Sequence, residues 1–100
     1  MPKGYWVACV DVTDPAGYQK YREALAVPFR KFDGKFLTRG GQVEQMEGKL
    51  RPRVVIVEFP THRAAVECYR SPEYEAAKKL RMQAASADLV VLEGYDGPQL

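Results

Sequence analysis

The sequence has little of what metal sites and disulfide frameworks require. It contains one histidine, His62, and two cysteines. With a single histidine and no clustered acids, no dedicated metal site is predicted. Cys9 and Cys68 lie far apart in sequence, each in an apolar segment. We expect both to be reduced, buried thiols that behave as small hydrophobic side chains.

Strong charge and long apolar runs are also missing. The formal net charge is +2, and basic residues are interspersed with acidic ones, which argues against a nucleic-acid surface. No apolar run approaches the roughly 18–20 residues that span a bilayer, so no membrane segment is expected. The N-terminal MPKGYW lacks the apolar core of a signal peptide, and a cytoplasmic location is therefore expected.

The sequence lacks the motifs that hold nucleotide cofactors or activate a serine. It has no phosphate-binding loop, no dinucleotide-binding glycine pattern after a strand, and no serine nucleophile elbow. No cofactor is predicted. What the chain does have is the size and composition of one globular domain, with 100 residues that are 46% hydrophobic and 28% charged. We expect a single domain over residues 1–100, ending in a tail at 96–100.

Local signals predict alternating strands and helices. Asp14 and Pro15 mark a helix start, because aspartate caps well and proline loses no needed hydrogen bond there. Pro28 should kink this helix or tighten its last turn before Asp33-Gly34 closes it. Later in the chain a short helix begins after Thr61, and Ser71-Pro72 starts another that runs to about residue 85. Strands are predicted over residues 4–12, 35–48, 53–59 and 87–95.

The order strand, helix, strand, strand, helix, strand predicts an α+β fold, the ferredoxin-like βαββαβ plait. Right-handed crossovers then give an antiparallel sheet with strand order 4-1-3-2 and the helices on one face. Alternation along the strands leaves apolar side chains on both faces of this sheet. Because the helices cover only one face, the other is expected to pack against the same face of a second subunit, which predicts a homodimer.

The segments GYWVACVDVTDPAGYQKY, GKFLTRGG, VEQMEG, VVIVEFP, CYRSPEY and ADLVVLEGYDG follow one another along nearly the whole chain. Together they resemble the DUF1330 family, small uncharacterised bacterial proteins of the dimeric α+β barrel superfamily. The resemblance implies a ferredoxin-like protomer and a dimer whose two sheets pack face to face. It implies no activity. The wider superfamily includes cofactor-independent monooxygenases, small isomerases, haem-degrading enzymes and proteins with no known catalysis, and transferring any one of these would be fold-level analogy.

Glu58 and Glu93 are the candidate catalytic residues. The topology places both toward one end of the sheet, flanking the start of the first strand near Tyr5 and Trp6. Two carboxylates beside aromatic residues can act as an acid and base pair. Since adjacent strands lie about 4.8 Å apart, their backbones would be about 10 Å apart, and each carboxylate could instead pair with an arginine.

Arg39 precedes two glycines in the second strand and has three interpretations. A guanidinium beside exposed backbone amides suits a carboxylate or phosphate ligand. Arg39 could instead pair with Asp11 or Glu44, or reach across a dimer interface. Gly40-Gly41 itself is interpreted as a bulge or bend that lets a long second strand leave its own sheet.

Several tyrosines fall on inward helix faces and are candidates for lining a pocket. A buried tyrosine with a satisfied hydroxyl is the commoner case, but a group of phenols could surround a small planar or carboxylate-bearing molecule. Arg81 shares the helix face of Tyr74, two turns further on, and needs a carboxylate or a bound anion as its partner. The candidate ligand-binding residues are Arg39, Tyr18, Tyr69 and Arg81.

Two functional hypotheses follow from these residues. In the first, the protein binds a small carboxylate-bearing or aromatic molecule between helices and sheet. In the second, it is a cofactor-independent enzyme that acts on a small acidic or aromatic substrate by proton transfer or oxygenation, with Glu58 or Glu93 as base. An enzyme should hold a carboxylate inside a cavity, whereas a binding protein can have every carboxylate paired elsewhere.

Overall fold

The computed structural model describes residues 2–100. The elements are β1 Gly4–Val12, α1 Pro15–Ala24, α2 Ala26–Phe32, β2 Lys35–Arg39, β3 Arg53–Phe59, α3 His62–Arg70, α4 Pro72–Ala84 and β4 Ala85–Glu93. The four strands form one antiparallel sheet in the order β2-β3-β1-β4. The predicted ferredoxin-like α+β fold and its strand order are therefore confirmed.

The strand register determines which side chains face the helices. Trp6 on β1 lies opposite Val57 on β3 and Val91 on β4. Residues directly opposite one another share a face of the sheet, and every second residue of a strand returns to that face. The helix-covered face therefore carries Trp6, Ala8 and Val10, of which Trp6 and Val10 are almost completely buried.

The opposite face of the sheet is not covered by any helix and is nevertheless largely apolar. The side chains of Tyr5, Val7 and Cys9 lie on this face of β1, and Val90 and Leu92 lie on it in β4. Val90 is 52% exposed and Leu92 is 47% exposed. We call this surface the open face.

The first helical region is divided in two. Leu25 separates α1 from α2, and Pro28 lies in the middle of α2. Proline has no N–H with which to reach the carbonyl of the residue four positions earlier, so the hydrogen-bond ladder is interrupted. The segment predicted as one helix is therefore two, and the break at Leu25 lies three residues before Pro28. Asp14 precedes α1 as expected, but its side chain makes no capping hydrogen bond.

The last two helices begin at the predicted caps. The Thr61 hydroxyl accepts a hydrogen bond from the backbone N–H of Ala64 at 3.0 Å. The Ser71 hydroxyl accepts one from the N–H of Tyr74 at 3.1 Å and donates to the carbonyl of Cys68 at 2.7 Å. Because Ser71 serves both helices, α4 follows α3 without a loop.

The second strand is shorter than predicted. It ends at Arg39, its register shift lies between Phe36 and Thr38, and no strand follows within residues 40–52. The predicted long continuation of the strand was therefore wrong, and the register shift does not lie at Gly40-Gly41. The other interpretation of these glycines, a bend by which the chain leaves its sheet, agrees with the bend at residue 40. Gly40 has a left-handed φ of 72°, and the guanidinium of Arg53 occupies the place where a side chain at residue 40 would be. The chain turns away from the sheet at this residue.

Trp6 joins the sheet to the helices. Its indole N–H donates a hydrogen bond to the carbonyl of Ala65 in α3 at 2.8 Å. The Trp6 ring centroid lies 4.8 Å from that of Tyr74 and 5.3 Å from those of Phe29 and Phe59. A single side chain on a central strand thus contacts α2, α4 and β3, besides the hydrogen bond to α3.

Replacing Trp6 with phenylalanine should lower the free energy of unfolding by about 2–4 kcal/mol, because it leaves the Ala65 carbonyl without its donor and a space beside the ring. The measurement is urea unfolding followed by circular dichroism. Tyr95→Phe, which removes an exposed phenol in the tail, is the control and should change stability little. A Trp6→Phe loss as small as that of the control would contradict the central position assigned to Trp6.

Candidate functional site

A small cavity lies between the helices and the covered face of the sheet. Its volume is about 30 Å³, which is room for about two water molecules. The cavity adjoins a groove of about 440 Å³ that runs between the first two helices and β2. Leu25, Phe29 and Phe36 line both spaces. Ligand sites usually enclose at least about 300 Å³, so a bound molecule would occupy the groove and extend into the cavity.

Four arginines line the cavity, each from a different element. Arg22 lies on α1, Arg39 ends β2, Arg53 begins β3 and Arg81 lies in the last turn of α4. Within residues 2–100, the remaining lining side chains are apolar or aromatic and include no carboxylate. Four cationic side chains therefore border the cavity, although most of the surface that its lining residues present to it is apolar.

The arginines are held beside aromatic rings. The guanidinium carbon of Arg39 lies 4.2 Å from the centre of the Phe36 ring, and that of Arg53 lies 5.3 Å from the Tyr18 ring. The corresponding distance from Arg81 to the Tyr21 ring is 6.0 Å. Cation–π attraction at such distances orients the guanidinium groups but leaves their N–H donors available.

In three of these arginines the Nε atom is buried and has no hydrogen-bond acceptor among the described residues. The Nε atoms of Arg22, Arg53 and Arg81 are buried and make no hydrogen bond in the described part of the chain. No acidic side chain within residues 2–100 forms an ion pair with any of the four. Buried polar groups in native proteins are normally paired, so these three Nε atoms are donors that an acceptor placed beside them could satisfy.

Two tyrosine hydroxyls form a buried hydrogen bond beside the cavity. The hydroxyl oxygens of Tyr21 and Tyr74 are 3.0 Å apart. Burial, followed by the proximity of Tyr74, raises the pKa of Tyr21 well above its usual range, and burial also raises the pKa of Tyr74. Both hydroxyls therefore remain protonated at neutral pH. Tyr21 lines the cavity and can donate to a bound group only as a neutral phenol.

The structure brings together three of the four predicted ligand-binding residues. Arg39, Tyr18 and Arg81 all line the cavity. Tyr69 does not; its ring packs against those of Trp6 and Tyr74, and Tyr69 borders a separate outer groove beside α4. Tyr69 is therefore placed apart from the other candidates.

Glu58 and Glu93, the predicted catalytic carboxylates, lie on opposite faces of the sheet. Glu58 is opposite Tyr5 and so belongs to the open face, where the Lys3 ammonium lies 3.6 Å from its carboxylate. Glu93 is opposite Gly4, on the helix-covered side, and is exposed. The two carboxylates do not converge, and neither lines the cavity.

Asp11, which the sequence offered as an ion-pair partner for Arg39, pairs with Arg51 instead. Asp11 lies on the open face and accepts a hydrogen bond from Arg51 at 2.7 Å. Arg51 also donates to Asp88 at 3.1 Å. Arg39 lies opposite Val55, on the helix-covered face, so the pairing with Asp11 considered from the sequence is not made.

Two arginines of the cavity were missed from the sequence, although a signal for each was present. Arg22 follows Tyr18 by one helical turn and so shares its inward face. Arg53 precedes Val55 and Val57 by two and four residues, and alternation places all three on one face. Neither was among the predicted ligand-binding residues.

The cysteines differ in environment. Both thiols are free, and Cys68 is fully buried, as expected, with its Sγ 3.8 Å from the carbonyl oxygen of Pro28. Burial raises the pKa of Cys68 to about 12, so this thiol is not a nucleophile at neutral pH. Cys9 is only half-buried, on the open face.

Two further features, a metal-binding cluster and a membrane-spanning helix, are absent from residues 2–100. No three His, Cys, Asp or Glu side chains come together in a way that could hold a metal ion. Among the helices of this part of the chain, none has the length and apolar character needed to cross a membrane.

Comparison with known proteins identifies relatives. The family described as "Domain of unknown function (DUF1330)" matches residues 3–95. No curated protein matches the chain. RPA0582, a protein of unknown function from Rhodopseudomonas palustris, has a similar structure with a TM-score of 0.73 and 23% identity, over 96% of this chain and 85% of that one.

Two more distant structures have the same fold. SnoaB, a cofactor-independent oxygenase from Streptomyces nogalater, has a TM-score of 0.63 and 13% identity over 100% of this chain and 97% of its own. A dimeric protein of unknown function and ferredoxin-like fold from Bacteroides fragilis has a TM-score of 0.60 and 15% identity, over 91% of this chain and 95% of that one. At these identities the similarity concerns the fold alone.

The buried tyrosine pair predicts a loss of stability at alkaline pH. A raised folded-state pKa means that stability is complete below the ordinary value of 10.0 and falls above it. The unfolded chain then releases protons that the folded chain keeps. The free energy of unfolding should fall by about 1.4 kcal/mol per pH unit for each tyrosine.

Urea unfolding at a series of pH values from about 8 to 11 measures this slope. Tyr21→Phe should make the slope shallower than in the wild type, and Tyr95→Phe should leave it unchanged. Because Cys68 contributes to the same alkaline range, the difference between variant and wild type is the relevant quantity. Equal slopes for Tyr21→Phe and the wild type would contradict the assignment.

Proposed function

This chain belongs to the DUF1330 family, and we propose that it is a homodimeric protein that binds a small carboxylate-bearing or aromatic molecule between its helices and its sheet. The observation that carries the binding proposal is the convergence of four arginines on an apolar cavity whose described lining contains no carboxylate. The homodimer rests on a separate observation, the apolar open face.

The charge of the cavity favours an acidic ligand. Like charges held together in partly apolar surroundings are costly unless each is paired. Four arginines line the cavity, and none of them forms an ion pair within residues 2–100. Arginine binds carboxylates in a planar, two-point geometry, and such charge-assisted hydrogen bonds are stronger than neutral ones. A bound carboxylate would therefore relieve the repulsion among these groups.

The aromatic lining favours a flat or apolar body on the same ligand. Phe29 and Phe36 are in edge contact, with centroids 5.4 Å apart, and border both cavity and groove. Arg22 and Arg39 also border both spaces. If the acid group of a ligand binds Arg22 and Arg39, the rest of the molecule lies against the phenylalanine rings. Small-molecule sites usually combine a few polar groups that fix the orientation of the ligand with an apolar lining.

The alternative of a cofactor-independent enzyme lacks a comparable observation. Its candidate bases, Glu58 and Glu93, face opposite sides of the sheet. The oxygenase SnoaB has the same fold at 13% identity, which carries no residue-level role to this chain. Binding is therefore the function that the geometry of the site supports best.

Arg39→Ala tests the binding site. A thermal-shift screen with small carboxylates and phenolic acids should find compounds that raise the melting temperature of the wild type, because a ligand that binds only the folded state stabilises it. At about one hundred times the Kd the gain is about 2.7 kcal/mol. Arg39→Ala should reduce the shift to near zero.

Arg70→Ala is the matched control, since it removes the same charge from the exposed end of α3. It should respond to ligand as the wild type does. If Arg39→Ala and Arg70→Ala respond alike, or if no acid stabilises the wild type, the proposed site is wrong.

The open face supports the homodimer. Its middle row is apolar, with Val7 on β1 between Ile56 on β3 and Val90 on β4, and both Val90 and Leu92 are about half exposed in the single chain. Charged pairs lie at its two ends: Arg51 with Asp11 and Asp88 at one, and Lys3 with Glu58 at the other. An apolar centre with a polar rim is the composition of a protein interface. The dimeric description of the Bacteroides fragilis relative is consistent with this use of the face.

Leu92→Glu should convert the dimer to a monomer, because it adds to the proposed interface, on both subunits, a carboxylate in the same row as Glu58. Multi-angle light scattering at micromolar concentration measures the mass. Met82→Glu changes an exposed apolar residue on α4 and should leave the dimer intact. A monomeric wild type, or a dimeric Leu92→Glu variant, would overturn this interface.

A further inference from the structure

Resting on the proposed function, we infer that the cavity selects a small dianion, a molecule with one acidic group at each end, over a monocarboxylate of the same shape. The inference depends on how many cations surround the site, on their division into two pairs, and on the buried donors that remain without acceptors.

The cations around the site exceed the charge of any monocarboxylate. The cavity is lined by four arginines and, within the described chain, by no acid. The adjoining groove adds Arg30 and Asp33, whose charges offset one another. A ligand with one negative charge would leave most of this positive charge uncompensated, whereas a dianion engages two arginines at each end.

The arginines form two pairs at different depths. Arg22 and Arg39 border both the groove and the cavity, so they form the outer pair. Arg53 and Arg81 border the cavity but not this groove, so they form the inner pair. The inner pair lies against Tyr18 and Tyr21, whose ring centroids are 5.4 Å apart. This division, with two arginines at the groove and two bordering the cavity alone, suits a molecule that has two acid groups.

The unpaired donors are found at both depths. Buried Nε atoms without a hydrogen bond belong to Arg22 in the outer pair and to Arg53 and Arg81 in the inner pair. Arg81 is only 8% exposed, so bulk water does not satisfy it in the way it satisfies a surface arginine. A second acid group in the cavity would replace about two water molecules and supply acceptors to the inner donors.

The test compares two matched pairs of acids, succinate with butyrate and terephthalate with para-toluate. Within each pair one carboxylate is replaced by a methyl group of similar size. Isothermal titration calorimetry at about 20 mM and about 200 mM NaCl gives the dissociation constants and their dependence on screening. We expect at least one diacid to bind the wild type about tenfold or more tightly than its monoacid partner.

Arg53→Gln and Arg81→Gln each remove one inner cation and should reduce the preference for the diacid to less than about threefold. Monoacid binding at the outer pair should change little. Arg70→Gln on the exposed end of α3 removes the same charge elsewhere and should keep the full preference. If Arg81→Gln fails to fold, Arg53→Gln decides, because Arg53 is only partly buried.

Equal binding of diacid and monoacid by the wild type, or a preference that survives Arg53→Gln, overturns the inference. If monoacids bind equally well and their binding still depends on Arg39, the inference alone fails and the proposed function stands. If no acid binds the wild type, both fail.

Discussion

The structure depends on the packing of one side chain, Trp6, between the sheet and the helices that cover it. Trp6 lies on β1, between β3 and β4, and its indole N–H is bonded to α3 while its ring contacts aromatic residues of three other elements. Trp6 also lines the cavity. The interaction that fixes the helices over the sheet therefore also forms part of the cavity wall, so the shape of the cavity is determined by the packing of the core.

Much of the fold could be predicted because its signals are local. The caps at Thr61 and Ser71 and the proline in α2 act within a few residues of themselves, and the structure shows each of them. The strands were recognisable from their β-branched residues. Features that depend on distant contacts were missed. The end of β2 at Arg39 reflects the packing of Arg53 over Gly40, thirteen positions away in sequence, and no pattern in the strand itself reports that contact.

The candidate site was predictable only in part, for a related reason. Both faces of the sheet are apolar, so alternation could not say which face the helices cover. Glu58 and Glu93 consequently seemed able to meet, although the register places them on opposite faces. Arg39, Tyr18 and Arg81, which were predicted separately as ligand-binding residues, line one cavity. The decisive property, that four arginines share one space, follows from the way strands and helices pack together and is visible only in three dimensions.

The contact between Gly40 and Arg53 ties the path of a loop to the electrostatics of a cavity. Any side chain at residue 40 would have to displace the Arg53 guanidinium, in addition to adopting the left-handed backbone that glycine tolerates. A substitution there would thus alter the exit of the chain from the sheet and the position of an inner cation together. The path of the chain after β2 and the position of a cation that lines the cavity are for this reason coupled at a residue that does not itself line the cavity.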